Sequence, residues 1–390
     1  MNYLCKVKTK FNIKYILNKV HILKGTQIIM TKFIDIHVLQ SIPAANLNRG
    51  ENGDPKTVIY GGKLRSRVSS QSWKHAMRED FKAQTQDTDW LSSTRSKLIP
   101  QKIIDDLTAD GMDEQKAVDL VTNALAVASI KVKTPKKGTD DPYTTDTLLM
   151  LSAGQIRNLT NFLKEHPDLD ANKVKKDKDS KAIKQALTDL LNTDNALDLA
   201  LFGRMVAGDA KLNVDAASQV AHAFSINEIV PEFDFFTAVD DIKESQGAGM
   251  MGSMGYNTST LYRYANLNVD ELKHNLGDEE LTEKGIKQFI KSFVLSMPTG
   301  KQNTYANKTL PQYVMVNVRD DTPVNLANAF EKPIKLAGGE SGVEALEKQA
   351  KESEMFVEPA LVTFVVTAGD SQFYKASSLS ALLDDIVAAL

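Results

Sequence analysis

Asn48-Arg49-Gly50-Glu51-Asn52-Gly53-Asp54-Pro55-Lys56 is followed by Tyr60-Gly61-Gly62-Lys63-Leu64-Arg65-Ser66-Arg67-Val68, and then by Ser69-Ser70-Gln71-Ser72-Trp73-Lys74-His75-Ala76-Met77-Arg78. From Lys56 to Arg78 there is no acidic residue, while Lys56, Lys63, Arg65, Arg67, Lys74 and Arg78 are all cationic. In a chain of 390 residues with a net charge of only −3, such a block is a candidate anion-binding surface. Ser69 and Ser70 are N-cap residue types, and Trp73, Met77 and Phe81 recur behind them at helical spacing. Lys74, Arg78 and Lys82 fall on a neighbouring stripe. The spacing predicts a helix whose first-turn N–H groups and positive dipole end can receive a phosphate, with Ser69 and Gln71 side chains as further donors. Alone, that helix is an ordinary capped surface element. The basic block in front of it turns the reading towards phosphate contact.

Composition bounds the rest. With 42% hydrophobic and 25% charged residues the chain reads as globular, long enough for one large core or two modest ones. No apolar run approaches the roughly 20 residues of a membrane span. The single Cys5 excludes a disulfide framework and agrees with a reducing cytoplasm. A sequence pI near 6.1 confines any nucleic-acid binding to a local face, leaving acidic surface for neighbouring subunits. Residues 1–29 carry lysines and no acid, which reads as an extension ahead of a natural start at Met30.

Phe33 to Gln40 reads as a strand, with Ile34, Ile36 and Val38 on one face and Asp35 and His37 on the other. His37 has no metal-spaced partner and reads as a structural or surface histidine. Ser41 to Pro55 reads as an exposed loop. Asp87 to about Leu212 is a mostly helical insertion, within which Lys173, Lys175, Lys176, Lys178, Lys181 and Lys184 cluster among aspartates as a solvated face. Ala216 to Ser225 is extended. Gly247, Gly249 and Gly252 spell G-x-G-x-x-G, but Asp240-Asp241-Ile242-Lys243-Glu244 precedes them and the strand-like Leu261 to Asn268 follows, which excludes a dinucleotide loop. A hairpin tip reaching across something fits better. The last third offers strands at Leu261 to Asn268, Tyr313 to Val318 and Leu361 to Thr367. Helices are expected at Glu280 to Ser296, Asn325 to Leu336 and Val343 to Glu354. The fold class from these elements is α+β.

Strong catalytic spacing is absent. Gly62-Lys63 lacks the flanking residues of a Walker A loop, and there is no H-E-x-x-H, no Cys/His cluster and no G-x-S-x-G elbow. No cofactor is expected. The acidic pairs Asp105-Asp106, Asp240-Asp241, Asp320-Asp321 and Asp384-Asp385 read as turn or helix-end residues.

Phe33-Ile-Asp-Ile-His-Val-Leu, Leu47-Asn48-Arg49, Gly61-Gly62-Lys63 and Arg67-Val68-Ser69-Ser70-Gln71-Ser72 with Lys74 together resemble the start of the CasC family, the repeated backbone subunits of the type I-E CRISPR surveillance complex, Cascade. Gly203-Arg204-Met205, Phe235 to Asp241, Tyr262-Arg263-Tyr264-Ala265-Asn266, Lys301 to Ala306 and Asn328 to Lys332 continue the likeness in order, so it spans nearly everything from Phe33 onward. The resemblance implies an RRM-like (ferredoxin-like) palm of residues 30–87, 213–228 and 259–390, helical fingers at 88–212 and a β-hairpin thumb at 229–258. It implies a non-catalytic subunit that binds CRISPR RNA, repeats head to tail and joins the large, small, five-prime-handle and RNA-processing Cascade subunits, with target DNA engaged by guide pairing. Asn48, Arg49, Lys56, Lys63, Arg65, Arg67, Ser69, Gln71, Lys74 and Arg78 would hold RNA, mostly by phosphates, which suits a subunit that accepts any guide. Met205, Phe235 and Phe236 match positions that pack on bases, although by residue type alone they read as core. Gly247, Gly249, Met250, Met251 and Gly252 would form the thumb, and Lys173, Lys175 and Lys176 could guide DNA. The related type III backbone subunits cut RNA with a loop aspartate and a metal, and Asp54 is the nearest analogue. The type I-E likeness makes it non-catalytic.

Overall fold

The computed structural model describes residues 31–84, 89–136, 138–171, 174, 180–206, 208–239, 248–335 and 341–390. Lys173, Lys175, Lys176 and Gly247 lie outside them.

Strand β1 (Phe33–Ala45) opens the fold, and a hairpin of β2 (Thr57–Tyr60) and β3 (Lys63–Val68) follows. Helix α1 (Ser70–Ala83) starts where Ser69 caps the Ser72 N–H, and it buries Trp73, Met77 and Phe81, the i, i+4, i+8 stripe of the sequence. Each of those side chains stabilises the fold by about 1.5–3 kcal/mol.

A second core lies in the insertion. β4 (Thr94–Ser96), α2 (Ile99–Ala109), α3 (Glu114–Val127), β5 (Val132–Lys133), β6 (Thr144–Thr145), β7 (Leu149–Leu151), α4 (Ala153–Glu165), α5 (Ser180–Asn192) and α6 (Leu197–Phe202) follow in turn. Ile103, Leu107, Val121, Leu125, Leu159 and Leu187 meet at its centre. The region is helical, as its periodicity predicts, with two small two-stranded sheets added.

The chain then returns to the first sheet through β8 (Ser218–Val220) and β9 (Ala223–Ser225), leaves it on β10 (Glu232–Val239) and re-enters on β11 (Ala248–Asn268). Helices α7 (Val269–Leu276), α8 (Glu279–Leu295) and α9 (Gln302–Tyr305) lead to β12 (Tyr313–Arg319). Helix α10 (Gly342–Ser353), β13 (Val362–Thr367), β14 (Tyr374–Lys375) and α11 (Leu379–Ala388) complete it.

The sheet order is β14-β13-β12-β1-β11-β9-β3-β2, with β8 and β10 also paired to β11. At its centre β12-β1-β11-β8/β9 is antiparallel throughout. With α1 and α8 as the crossovers, this is the order a βαββαβ unit produces, so the α+β expectation holds. Both faces are covered. Ile34, Ile36 and Val38 pack on α1, α6, α8 and α11. Leu39, Tyr262, Tyr264 and Met315 pack under the 324–346 segment.

Two expectations differ from the structure. Ser41 to Ala45 continue β1 rather than opening a loop. Of the helix expected at Asn325 to Leu336, the described residues 325–335 hold one 3-10 turn, Ala327–Phe330, because Pro333 disfavours helical backbone in the residue before it. Asp35 and His37, on the strand face opposite Ile34, Ile36 and Val38, are both 0% exposed because that face carries a second layer, which makes His37 structural rather than a surface histidine. Among the described residues no helix is long and apolar enough to cross a membrane.

Candidate nucleic-acid interface

The end of β1 organises the basic stretch. Asn46, fully buried, donates from its amide nitrogen to the Gly53 carbonyl at 3.0 Å and to the Gly255 carbonyl at 2.9 Å. One side chain thereby ties the loop after β1 to the base of the β10–β11 hairpin. The loop folds on itself through Gly50 N–H to Asp54 O and Lys56 N–H to Asn48 O. Asn48 Oδ1 accepts from Ser69 N–H at 2.9 Å, fixing the start of α1, and Arg67 N–H donates to Lys56 O. At Gly255 a Cβ would lie 2.5 Å from Asp54 Oδ1, so any larger residue there would push the Asp54 side chain aside.

The helix start is less open than its sequence implies. Ser69 takes the Ser72 N–H and His222 Nδ1 accepts the Ser70 N–H at 2.8 Å, which leaves the N–H of exposed Gln71. Sequence reading missed His222 because it lies 152 residues away. Burial, then the charges of Arg67 and Lys56, hold its imidazole below the ordinary histidine range, which keeps Nδ1 an acceptor.

The cations divide into two sets. Arg49, Lys56 and Arg67 form no ion pair among the described residues, and Arg49 is exposed. Lys74 is half-buried with Nζ 5.4 Å from the Phe202 ring centroid, and burial lowers its pKa. Lys63 is exposed but paired with Glu228 at 3.2 Å. Arg78 binds the buried Asp198 at 2.8 Å and the Ser93 carbonyl, joining α1 to the helical insertion. Arg65 corrects the sequence reading most clearly. It is 0% exposed and donates to the carbonyls of Ser225, Ile226, Phe330 and Glu331 at 2.8–3.2 Å, so no phosphate can reach it.

Beside these cations the β10–β11 hairpin carries apolar side chains into solvent. Phe233 is 64% exposed, Phe235 65% and Met251 67%, and Phe236 lies over Gly252. A cleft of about 480 Å³ at its base is lined by Asp54, Lys56, Arg67, Phe233 and Tyr256 among others. In the helical insertion Met205 is 85% exposed. Its neighbour Arg204 is buried and bonded to the carbonyls of Leu212, Met150 and Leu191, which anchors the backbone that presents it. Met205, Phe235 and Phe236 are therefore not core, contrary to what their residue types alone suggest. Phe233 shares a cleft with the unpaired Lys56 and Arg67, and with the exposed apolar side chains further along the hairpin this suits a ligand with charged and flat aromatic parts. Asp54 accepts from Asn52 Nδ2 at 2.7 Å, and among the described residues no three His, Cys, Asp or Glu side chains converge as a metal set.

A ferredoxin-like palm bearing a helical insertion and an aromatic hairpin defines a class of protein scaffold. The chain belongs to the CT1975-like protein family, whose profile matches residues 34–389. It is similar to a chain of a solved "CRISPR RNA-guided surveillance complex, pre-nicking", with 34% identity and a TM-score of 0.77 over 92% of this chain and 99% of that one. A chain of another "CRISPR RNA-guided surveillance complex" is 28% identical, with a TM-score of 0.68 over 92% and 100% of the two chains. No curated protein matches it.

Proposed function

We propose that this chain is a non-catalytic backbone subunit of a type I-E Cascade complex, of the CasC kind, which binds CRISPR RNA and repeats head to tail along it in the cytoplasm. The observation that carries the reading is the 34% identity across 99% of a chain from an RNA-guided surveillance complex. The geometry supports it. Arg49, Lys56 and Arg67, without an ion pair among the described residues, would neutralise phosphates, while Met205, Phe235 and Phe236 would meet base faces without reading sequence. The hairpin would fold over the guide, and the exposed guide bases would pair with target DNA. Further copies of the chain and the other Cascade subunits would complete the particle.

The test is to co-express the chain with partner subunits and a CRISPR array, purify the assembly and probe its RNA with a nuclease, with and without magnesium. Intact guide-length RNA with regularly spaced sensitive nucleotides is expected. Cleavage at regular intervals only with magnesium would replace this reading with that of a metal-dependent endoribonuclease using Asp54.

A further inference from the structure

Lys301-Gln302-Asn303-Thr304-Tyr305-Ala306 forms a single turn, α9, closed at both ends by left-handed residues. Lys301 stands at φ 52°, ψ 25° and Ala306 at φ 46°, ψ 41°. Both carry a Cβ, and such residues hold that conformation only where their surroundings enforce it. Here the enforcement is visible. Gly300 lies so close to the end of β1 that a Cβ on it would sit 2.2 Å from the Leu47 carbonyl oxygen. The Tyr305 ring is 6.0 Å from that of Tyr256 at the hairpin base. The turn is thus built against the same β1 exit from which Asn46 holds the basic loop and the hairpin together.

What the turn presents has no partner among the described residues. The side chains of Lys301, Gln302, Asn303 and Thr304 make no hydrogen bond or ion pair with any described residue, and Asn303 and Thr304 are exposed. Behind them the Tyr305 hydroxyl, Asn46 Oδ1 and both amide atoms of Asn307 are buried without partners. Asn46 and Asn307 are 0% exposed. A turn needed only for packing accounts for the left-handed ends. It does not account for four consecutive unpaired polar side chains next to a cationic loop.

We propose that Lys301–Ala306 is a second contact element for the RNA sugar–phosphate backbone, beside the Lys56–Arg67 stretch. Lys301 neutralises a phosphate, and Asn303 and Thr304 hydrogen-bond phosphate oxygens or a ribose 2′-hydroxyl, for which an amide and a hydroxyl offer both donors and acceptors. This rests on the RNA-binding reading above.

The test measures binding of labelled single-stranded RNA, and of DNA of the same sequence, to the full chain over a range of salt. Lys301→Gly is the informative variant, because glycine accepts the left-handed backbone while the cation is lost. It is expected to melt no lower than wild type, to weaken RNA binding about fivefold or more, and to reduce the salt slope by about 0.7. Asn303→Ala is expected to narrow the preference for RNA over DNA. Lys56→Ala runs in parallel. If Lys56→Ala weakens binding while both α9 variants keep wild-type affinity, slope and RNA preference, the α9 contact is overturned and the RNA-binding reading stands. If the wild-type chain binds no RNA, that reading falls and the α9 contact with it.

Discussion

Strand β11 is one continuous run of 21 residues whose two ends live in different solvents. From Leu261 to Leu267 every side chain is buried, in a sequence that mixes Leu and Ala with Tyr, Arg and Asn. At Met250 and Met251 the same strand leaves methionines 58% and 67% exposed. Residue hydrophobicity does not set this difference; neighbours do. The inner half pairs with β1 on one side and β8 and β9 on the other, and has a layer above and below. Among the described residues the outer half pairs only with β10. Stability is therefore concentrated in one half of the strand and the exposed apolar surface in the other, so substitutions can separate them.

The largest expected effect is at Arg263, on the inner half. Its guanidinium is buried 3.8 Å from the Trp73 ring centroid and 4.8 Å from that of Phe293, and it donates to Gln40 Oε1 at 2.6 Å and to the Phe293 and Val294 carbonyls. Burial lowers its pKa to about 9, which still leaves it charged at neutral pH. Arg263→Ala opens a cavity and strips those acceptors of their donor, so a loss of about 3–5 kcal/mol is expected in urea denaturation. The RNA affinity of the molecules that remain folded should not change. A stable Arg263→Ala protein with weakened RNA binding would break the separation.

The inner half also predicts a pH response. His37, across from Tyr264, is bonded to the Tyr262 hydroxyl at 2.9 Å, and burial drives its pKa down to about 3. Asp35, across from Asn266, accepts from the Tyr264 hydroxyl at 2.7 Å, yet burial raises its pKa to about 6. The depressed histidine favours the fold above pH ~6.5, and that contribution is lost as pH falls towards 3. The raised aspartate works the other way, costing stability as pH rises from ~3.8 to about 6. Between about pH 4 and 6 the folded state holds one extra proton on Asp35 and lacks one on His37, so the two cancel. Asp35→Asn should unmask the histidine. Its stability relative to wild type is expected to fall as pH drops from 6 to 4, by up to about 1.4 kcal/mol per unit. Parallel urea titrations check this, and parallel curves would show that the two residues are not opposed.

On the outer half the effects exchange. Phe235→Ala with Met251→Ala removes side chains that touch little of the palm, so stability should move by no more than about 0.5 kcal/mol. If these side chains meet bases, RNA affinity should drop by about 1–3 kcal/mol per stacked base, measured by anisotropy at fixed salt. Unchanged affinity would place the base contacts elsewhere.

Much of this was legible in the sequence, and the exceptions share a cause. The Trp73, Met77, Phe81 stripe, the Ser69 cap and the Phe33 strand are local patterns, and they appear where the sequence puts them. Arg65 and Arg67 stand two residues apart in the same basic run and cannot be told apart there. Only the carbonyls of Ser225, Ile226, Phe330 and Glu331, 160 or more residues on, draw Arg65 inward. His222 and Asn46 act through equally distant partners. Phe235 and Phe236 are the reverse case, since composition assigns them to a core that the hairpin never reaches. The short helices Val269–Leu276 and Leu379–Ala388 give too short a periodic signal to stand out in the sequence, although Asn268 and Ser378 cap them.

The smallest effect is expected at Lys63, and it tests whether a cation must be unpaired to serve RNA. Lys63 and Glu228 are both about half exposed and 3.2 Å apart. Such a pair contributes about 0–1 kcal/mol to stability, so Lys63→Ala and Glu228→Gln should both melt close to wild type. Their RNA behaviour should differ. Lys63→Ala leaves the Glu228 carboxylate without its counter-charge, so it is expected to weaken RNA binding slightly, and by less than Lys56→Ala. Glu228→Gln releases the ammonium and should strengthen RNA binding slightly, with a steeper salt dependence. If Lys63→Ala instead weakens binding as much as Lys56→Ala, the ion pair opens for RNA. The phosphate track would then run further along the β2–β3 turn than the unpaired cations mark.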